Sequence, residues 1–406
     1  MNTSTSVLSP ALRPALAERL LRSRLELIED GVLVLDGATY GKRTARCDLQ
    51  AHVRVHDPRF YAEVAYGGSV GAGEAYMLGY WSADDLTAAM RVLLANRAVL
   101  DGMETGFARL SAPARKLMHW AARNTRGGSR RNIAAHYDLG NDFFALFLDA
   151  TMMYSSALFE DAAMTLEQAQ VAKLDRICRR LRLGPRDHVL EIGTGWGGFA
   201  LHAAQRYGCR VTTTTISQEQ YALARERVAA AGLAHRIELL REDYRDLRGR
   251  YDKLVSIEMV EAVGHEYLDT YFARCGELLK DDGMMLLQAI TIADQRYDAA
   301  RKSVDFIRKH IFPGSCIPSI AAISGAVAHA TDMKLFHLED IGPHYARTLA
   351  LWRENLLRAG DELRARGYSP EFLRKWEFYF AYCEAGFAER ALGDVQALFV
   401  KPDARP

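Results

Sequence analysis

His188-Val-Leu-Glu-Ile-Gly-Thr-Gly-Trp-Gly-Gly-Phe199 decides the fold. Val189, Leu190 and Ile192 form a short apolar run that breaks into Gly193, Gly195, Gly197 and Gly198 before helix-like sequence resumes at Phe199. An apolar strand feeding a glycine turn and then a helix is how a doubly wound α/β sheet brings backbone N–H groups up to a nucleotide-like ligand. Taken alone, the pattern also fits a strand that merely turns tightly, and a dinucleotide fold is its main rival.

The sequence on either side supports a sheet. Further strands are expected at Arg210–Thr215, Ile237–Leu240, Lys253–Ile257 and Met284–Ile290, with helices after most of them. That repetition predicts a mostly parallel α/β sheet covered on both faces. Upstream, Thr165 and Gln168 form a capping box, and Leu166, Ala169, Leu174, Ile177, Cys178 and Leu181 make the apolar face of the helix it starts. From Thr291 to about His344 the pattern loosens around Pro313, Gly314, Pro318 and Gly342, which reads as an insertion over the site. Trp376–Val400 reads as a helix followed by a last strand.

The N-terminal region mixes an amphipathic helix over about Ala11–Leu27, strands at Gly31–Leu35 and Ala51–Val55, the glycine-rich Tyr66–Gly73 and a helical stretch over Ala83–Leu100. Basic residues between Ala114 and Arg131 surround Gly127-Gly128-Ser129, which marks a linker. The expected division is an α+β accessory domain over 1–125, serving dimerisation or membrane docking, and a catalytic domain over 131–402 with a lipid-binding insertion at about 291–345.

Composition removes several classes of function. Over 406 residues, 52 Lys and Arg face 51 Asp and Glu, so net charge gives no argument for nucleic acid. Six cysteines are spread singly without a CxxC pair, which argues against a disulfide framework and a zinc site and fits a reducing cytoplasm. No apolar run of about 18 residues occurs, so no spanning segment is expected.

The ligand is read from the strand ends. A nicotinamide enzyme usually carries a carboxylate about 20 residues beyond the glycines to hold the ribose. Here that place is Val211-Thr-Thr-Thr-Thr-Ile-Ser-Gln-Glu-Gln220, rich in hydroxyls and amides, with Glu219 keeping the dehydrogenase reading open. No Lys-Ser/Thr pair follows the glycines, which excludes a P-loop. Asp243 after the third strand is placed to accept from an adenine amino group.

The blocks His136-Tyr-Asp-Leu-Gly-Asn-Asp-Phe-Phe144, Met153-Tyr-Ser-Ser-Ala157, EIGTGWGGFA, TISQEQ, DYRD, Glu258-Met-Val-Glu-Ala-Val-Gly264, LLQAIT and Ile311-Phe-Pro-Gly314 closely resemble the cyclopropane-fatty-acyl-phospholipid synthases, over about Arg131 to Val400. GEAYMLGYW extends the resemblance into the first region. It implies a class I methyltransferase-like sheet and S-adenosylmethionine as cofactor. Tyr154 and Ser155 would close over the methionine end, Gly193, Gly195 and Trp196 line the cofactor, Thr215 and Gln220 contact the ribose, and Asp243 with Tyr244 flank the adenine. Family members hold a bicarbonate as base, and the matching positions here are Ser156, Glu261, Gln288, Ile290 and Tyr345. Ser156 stands where the family has Cys, and Gln288 where it has His; a glutamine cannot take up a proton as a histidine does. Glu258 adds a second carboxylate beside Glu261.

The resemblance implies methyl transfer to a cis double bond of a phospholipid acyl chain, closing a cyclopropane, by an enzyme peripheral to the cytoplasmic membrane surface, with a homodimer as a further implication. Methylation giving a methylene- or methyl-branched chain is the alternative. A catalytically idle lipid-binding protein is a third reading, against which Glu261 and Tyr345 stand. Phe306, Ile307, Ile311, Phe312, Ile317, Ile320 and Leu335 are the apolar residues expected to form an acyl tunnel.

Overall fold

The computed structural model describes residues 12–105, 128 and 140–406. The expected domain boundary and the basic stretch around it, Gly128 excepted, lie outside the described residues, as do His136–Leu139. The chain forms two compact units that are not sequential: the first takes Met1–Met118, Val304–Phe306 and Leu357–Glu389, and the second takes the remainder.

In the first unit, strands β1 (Gly31–Leu35), β2 (Ala38–Lys42), β3 (Gln50–Val55) and β4 (Trp81–Ala83) form a sheet in the order β2-β1-β3-β4. Strand β2 was not expected. Its signal is Asp36-Gly37: both residues take positive φ, 48° and 84°, as a two-residue hairpin turn of the I′ kind requires. The glycine-rich stretch is helical, within Arg59–Met77, and bends at Gly68 where φ is 61°. Gly73 serves close packing, since a Cβ there would lie 2.4 Å from the Phe306 ring and 2.8 Å from Phe378. The late helix Pro370–Ala388 completes this unit: Arg374 donates to the Met77 carbonyl at 2.7 Å and Arg91 pairs with Glu389 at 2.7 Å.

The second unit is the expected α/β sheet. Strands β5 (His188–Ile192), β6 (Arg210–Thr214), β7 (Ile237–Leu240), β8 (Tyr251–Ile257), β9 (Leu279–Ile292), β10 (Lys334–Asp340) and β11 (Leu392–Val400) lie in the order β10-β11-β9-β8-β5-β6-β7. The five from β5 to β9 pair in parallel, while at one edge β11 pairs antiparallel with both β9 and β10. Strand β10 falls inside the stretch read as an insertion. Its exposed Lys334, Leu335 and Phe336 lack the alternation that reveals a half-buried strand.

Side chains alternate across the sheet with the period of two that strands impose. Leu190, Ile192, Leu254, Met285, Leu287, Val395 and Phe399 pack on one face against Phe272, Cys275, Ile323 and Val327. Val189, Val255, Met284, Leu286, Leu398 and Val400 pack on the other against Leu174, Ile177, Phe199 and Ala203. From β5 the chain steps outward to β6 and β7 and then returns to β8 on the opposite side. The strand order therefore reverses beside β5, and ligands bind at the carboxyl ends of strands at such a point.

Phe272 is fully buried in this core. Phe272→Ala is expected to destabilise the second unit by about 3–5 kcal/mol, seen as a lower urea midpoint for its unfolding.

Candidate active site

The glycine turn leaves β5 with Gly193 at φ 106°, Gly195 at φ 51° and Gly197 at φ 86°. A Cβ on Gly195 would meet nothing within 4 Å, so a ligand can approach its backbone closely. Gly198 serves packing instead, for a Cβ there would lie 2.5 Å from the Met153 sulfur and 2.8 Å from the Thr151 carbonyl. Segment 150–153 is held on this turn by Arg227, whose guanidinium donates to the carbonyls of Trp196 at 2.6 Å, Ala150 at 3.0 Å and Thr151 at 3.2 Å.

The expected cofactor residues stand at the ends of neighbouring strands. Thr215, after β6, donates its hydroxyl to the Gln220 amide oxygen at 2.9 Å. Asp243, after β7, has both oxygens in the fork of Arg245, each at 2.7 Å, and an adenine amino group would use a remaining lone pair. Tyr244 packs edge-on against Tyr271 at 5.3 Å, and burial pushes its phenol up to about 12. Trp196 is buried, donates to the Asn141 side chain at 2.6 Å and lies on Phe144 at 4.9 Å. From it a run of rings continues through Phe144, Tyr154, Trp352 and Tyr345, with centroid spacings of 5.5, 5.2 and 6.1 Å.

A cluster of buried polar groups is organised around Glu258. This residue follows β8 with φ at 49°, a left-handed backbone that a non-glycine residue seldom adopts and that is common at functional sites. Its Oε1 accepts from the Ser156 N–H and from the Gln288 amide, each at 2.8 Å, and its Oε2 accepts from the Tyr345 hydroxyl at 2.7 Å. Gln288 donates its other amide hydrogen to Asp394 at 3.1 Å and accepts from Gln396 at 3.1 Å. Glu261 accepts from the Ile290 N–H at 2.6 Å through Oε1, while its buried Oε2 has no partner among the described residues. The Ser156 hydroxyl is turned to the Ala157 carbonyl at 3.1 Å.

Burial raises every one of these acids. Glu261 is pushed up to about 8 by desolvation and by its neighbour Glu258. Asp394 is pushed well above the carboxylate range by the same two kinds of cause. Glu258 is raised by desolvation, while Tyr345, the Lys173 charge, Ser156 and Gln288 act to lower it.

All five positions expected to hold a bicarbonate converge here, but their donors are engaged within the chain. The Ser156 N–H, Gln288 amide and Tyr345 hydroxyl meet Glu258, and the Ile290 N–H meets Glu261. A bicarbonate does not fit this arrangement, because Glu258 already presents a carboxylate to the donors that would bind it.

The apolar residues expected to form an acyl tunnel differ in their surroundings, and Ile311 among them is buried. Phe306 packs on Phe378 at 4.6 Å within the first unit, Ile320 and Leu335 are exposed, and Phe312 lies 6.3 Å from Tyr154. Sequence reasoning missed Asp394, Glu191, Gln170 and Lys173, all buried. The signal was present: Gln170 and Lys173 lie in the helical stripe Leu166, Ala169, Gln170, Lys173, Leu174, Ile177, and Glu191 interrupts an apolar strand.

The family model for mycolic acid cyclopropane synthetase matches residues 125–397. The tuberculostearic acid methyltransferase UfaA1 of Mycobacterium tuberculosis is 40% identical over 385 residues, spanning 93% of this chain and 89% of that protein. The cyclopropane-fatty-acyl-phospholipid synthase of Escherichia coli K12 is 38% identical over 352 residues, 86% of this chain and 87% of its own. Two solved structures superpose with TM-score 0.63, each covering 67% of this chain and 98% of the other. They are the cyclopropane synthase MmaA2 from Mycobacterium tuberculosis, 33% identical, and the mycolic acid cyclopropane synthase CmaA1 complexed with SAH and CTAB, 32% identical.

The raised acids tie stability to pH. Glu261 and Glu191 titrate near 8 when folded and near 4.5 when free, so between those values the folded chain holds protons that the unfolded chain releases. Stability is full below about pH 4.5 and falls as pH rises through about 8, by up to about 1.4 kcal/mol per pH unit for each group. Melting temperature should decline from pH 5 to pH 8 less steeply in Glu261→Gln than in the parent; identical slopes would contradict the assignment.

Proposed function

The chain belongs to the mycolic acid cyclopropane synthetase family and is an S-adenosylmethionine-dependent C-methyltransferase, and from that premise we propose that it methylates a cis double bond in the acyl chain of a membrane phospholipid, with Glu258 as the base. The convergence of the Ser156, Gln288 and Tyr345 donors on that one carboxylate supports the reading.

When bound, S-adenosylmethionine supplies an electrophilic methyl carbon on a sulfonium. Gly193, Gly195 and Trp196 would line it, Thr215 and Gln220 would meet its ribose, Asp243 and Tyr244 its adenine, and Tyr154 and Ser155 its methionine end. An alkene is a weak nucleophile, so positive charge develops on the acyl carbon next to the one methylated. Tyr154, Trp352 and Tyr345 present ring faces and Glu258 and Glu261 present carboxyl groups to that charge. Glu258 then takes a proton from the added methyl group. The electron pair left behind bonds to the cationic carbon and closes the cyclopropane. Gln288 fixes the direction of Glu258 and does not take up a proton.

A second reading ends in a methylene branch. A hydride first moves from the methylated carbon to its cationic neighbour, and loss of a methyl proton to the same Glu258 then leaves an exocyclic double bond. The 40% identity to a tuberculostearic acid methyltransferase over 93% of the chain favours it. Both routes call for one base in one place, so product structure decides between them.

The first unit and the basic stretch between Ala114 and Arg131 are assigned to docking on the anionic cytoplasmic face of the membrane, each basic residue near the surface adding about 1 kcal/mol, and to formation of a homodimer. None of the helices among the described residues is long and apolar enough to cross a membrane.

Lipids of cells expressing the protein should gain one methylene in mass on monounsaturated chains, and no gain would refute the reading. Proton NMR of the product separates upfield ring protons from exocyclic methylene protons. Glu258→Gln is expected to lower turnover by about 10²–10⁴-fold while calorimetric affinity for S-adenosylhomocysteine stays within about threefold of the parent. An equal loss of both would make Glu258 structural.

A further inference from the structure

Lys173 stands in the middle of the helix Leu166–Arg180 with none of its surface exposed. Lysine is among the residues least often fully buried, and burying its ammonium is costly unless an anion compensates. Its Nζ donates to the Ser155 hydroxyl at 2.6 Å. One helical turn earlier, Gln170 donates to the Ser155 carbonyl at 2.9 Å and to the Met153 carbonyl at 3.4 Å. Spaced three residues apart on one face, the two side chains grip Ser155 by its hydroxyl and by its carbonyl. The next residue, Ser156, donates its N–H to Glu258. Lys173 is thus joined to Glu258 through two consecutive residues whose positions it helps to fix.

The charges point the same way. The Lys173 ammonium acts on Glu258, Asp394, Asp149 and Glu191, and burial brings the lysine down to about 8 despite them. Around Glu258 the other polar groups are Tyr345 and Gln288, with Glu261 and Asp394 as acids. Four buried carboxyl groups (Glu191, Glu258, Glu261 and Asp394) therefore share one buried amine. One ammonium balances one carboxylate, and the others are most cheaply held neutral. Hydrogen bonds select which one is ionised. Glu258 accepts three, whereas Glu191 accepts one from Thr213, Glu261 one from Ile290 and Asp394 one from Gln288.

We propose that Lys173 is the positioning residue and internal counter-charge that keeps Glu258 the single ionised carboxylate of the site, while Glu191, Glu261 and Asp394 remain protonated. The inference rests on the reading of Glu258 as the base. It assigns Lys173 no contact with lipid or cofactor. The lysine sets the charge state of the group that makes such a contact, and Ser155 is the link between them.

The test uses the full-length protein and two readouts. Infrared difference spectra recorded across a pH titration report the carboxyl C=O band of Glu258, assigned by its disappearance in Glu258→Gln. Lys173→Met should move the ionisation midpoint of that band upward by at least one pH unit, and Lys173→Arg should restore it toward the parent. This readout is independent of turnover, so it tests the inference even if methyl transfer to lipid is not found, an outcome that would count against the proposed function alone. Where the parent does transfer labelled methyl groups to vesicles of unsaturated phospholipid, the acid limb of the kcat profile of Lys173→Met should shift by the same amount. If Lys173→Met does not fold, Lys173→Gln and Lys173→Arg are compared in the same way, with a raised midpoint expected for Gln only. A Glu258 band that titrates identically in the parent and in a folded neutral variant overturns the proposal, whatever the loss of activity.

Discussion

The interaction on which the rest of the second unit depends is the bond set made to the Glu258 carboxylate. A charge at the end of a sheet, away from bulk water, persists only where hydrogen bonds and a counter-charge replace its hydration. Three donors do so, and each comes from a different part of the chain: Ser156 from the segment before the capping box, Gln288 from β9, and Tyr345 from the helix Gly342–Arg358. Glu258 itself meets them from a left-handed backbone, with φ at 49° just after β8. Placing one carboxylate therefore requires the sheet order, the upstream loop and the late helix together.

The edge of the sheet takes part in the same arrangement. Because β11 runs antiparallel to β9, its beginning lies at the carboxyl end of the parallel strands, and Asp394 stands opposite Ile290. Gln288 and Gln396 face each other across the two strands and bond side chain to side chain. A glutamine suits this position because its amide gives two hydrogens to two acids and accepts one in return, without titrating. The exchange of histidine for glutamine, which by sequence alone threatened the deprotonation step, is matched by a carboxylate at position 258.

Much of this was legible in the sequence. The period-two apolar strands, the glycine turn and the capping box at Thr165 are local signals, and the elements they predict are present with boundaries shifted by a residue or a few. The family blocks identified Ser156, Glu261, Gln288, Ile290 and Tyr345, which the fold brings to one place. What was not legible depends on distant pairing. Strand β10 has an exposed apolar start and becomes a strand because β11 is beside it. The helix Arg59–Met77 carries glycines that local propensity counts against, and tertiary packing on Phe306 and Phe378 overrides that preference. The state of Glu258 could not be read from its neighbours in sequence, because its partners lie about 30 to 100 residues away.

The return of Leu357–Glu389 to the first unit bears on how the chain is made. Synthesis is vectorial, and domains built from one continuous stretch fold as they leave the ribosome. This unit cannot. Its helix Leu86–Ala95 bonds through Thr87 to Glu384, 297 residues later, so its N-terminal part must wait while most of the second unit is translated. During that interval the apolar surface that Phe306 and Phe378 will cover is open to chaperones or to a neighbouring chain. The same connectivity rules out preparing either unit by a single cut: a fragment ending near residue 118 lacks the closing helix, and a fragment beginning there carries that helix with nothing to pack against. Neither unit is encoded by one continuous stretch of the gene.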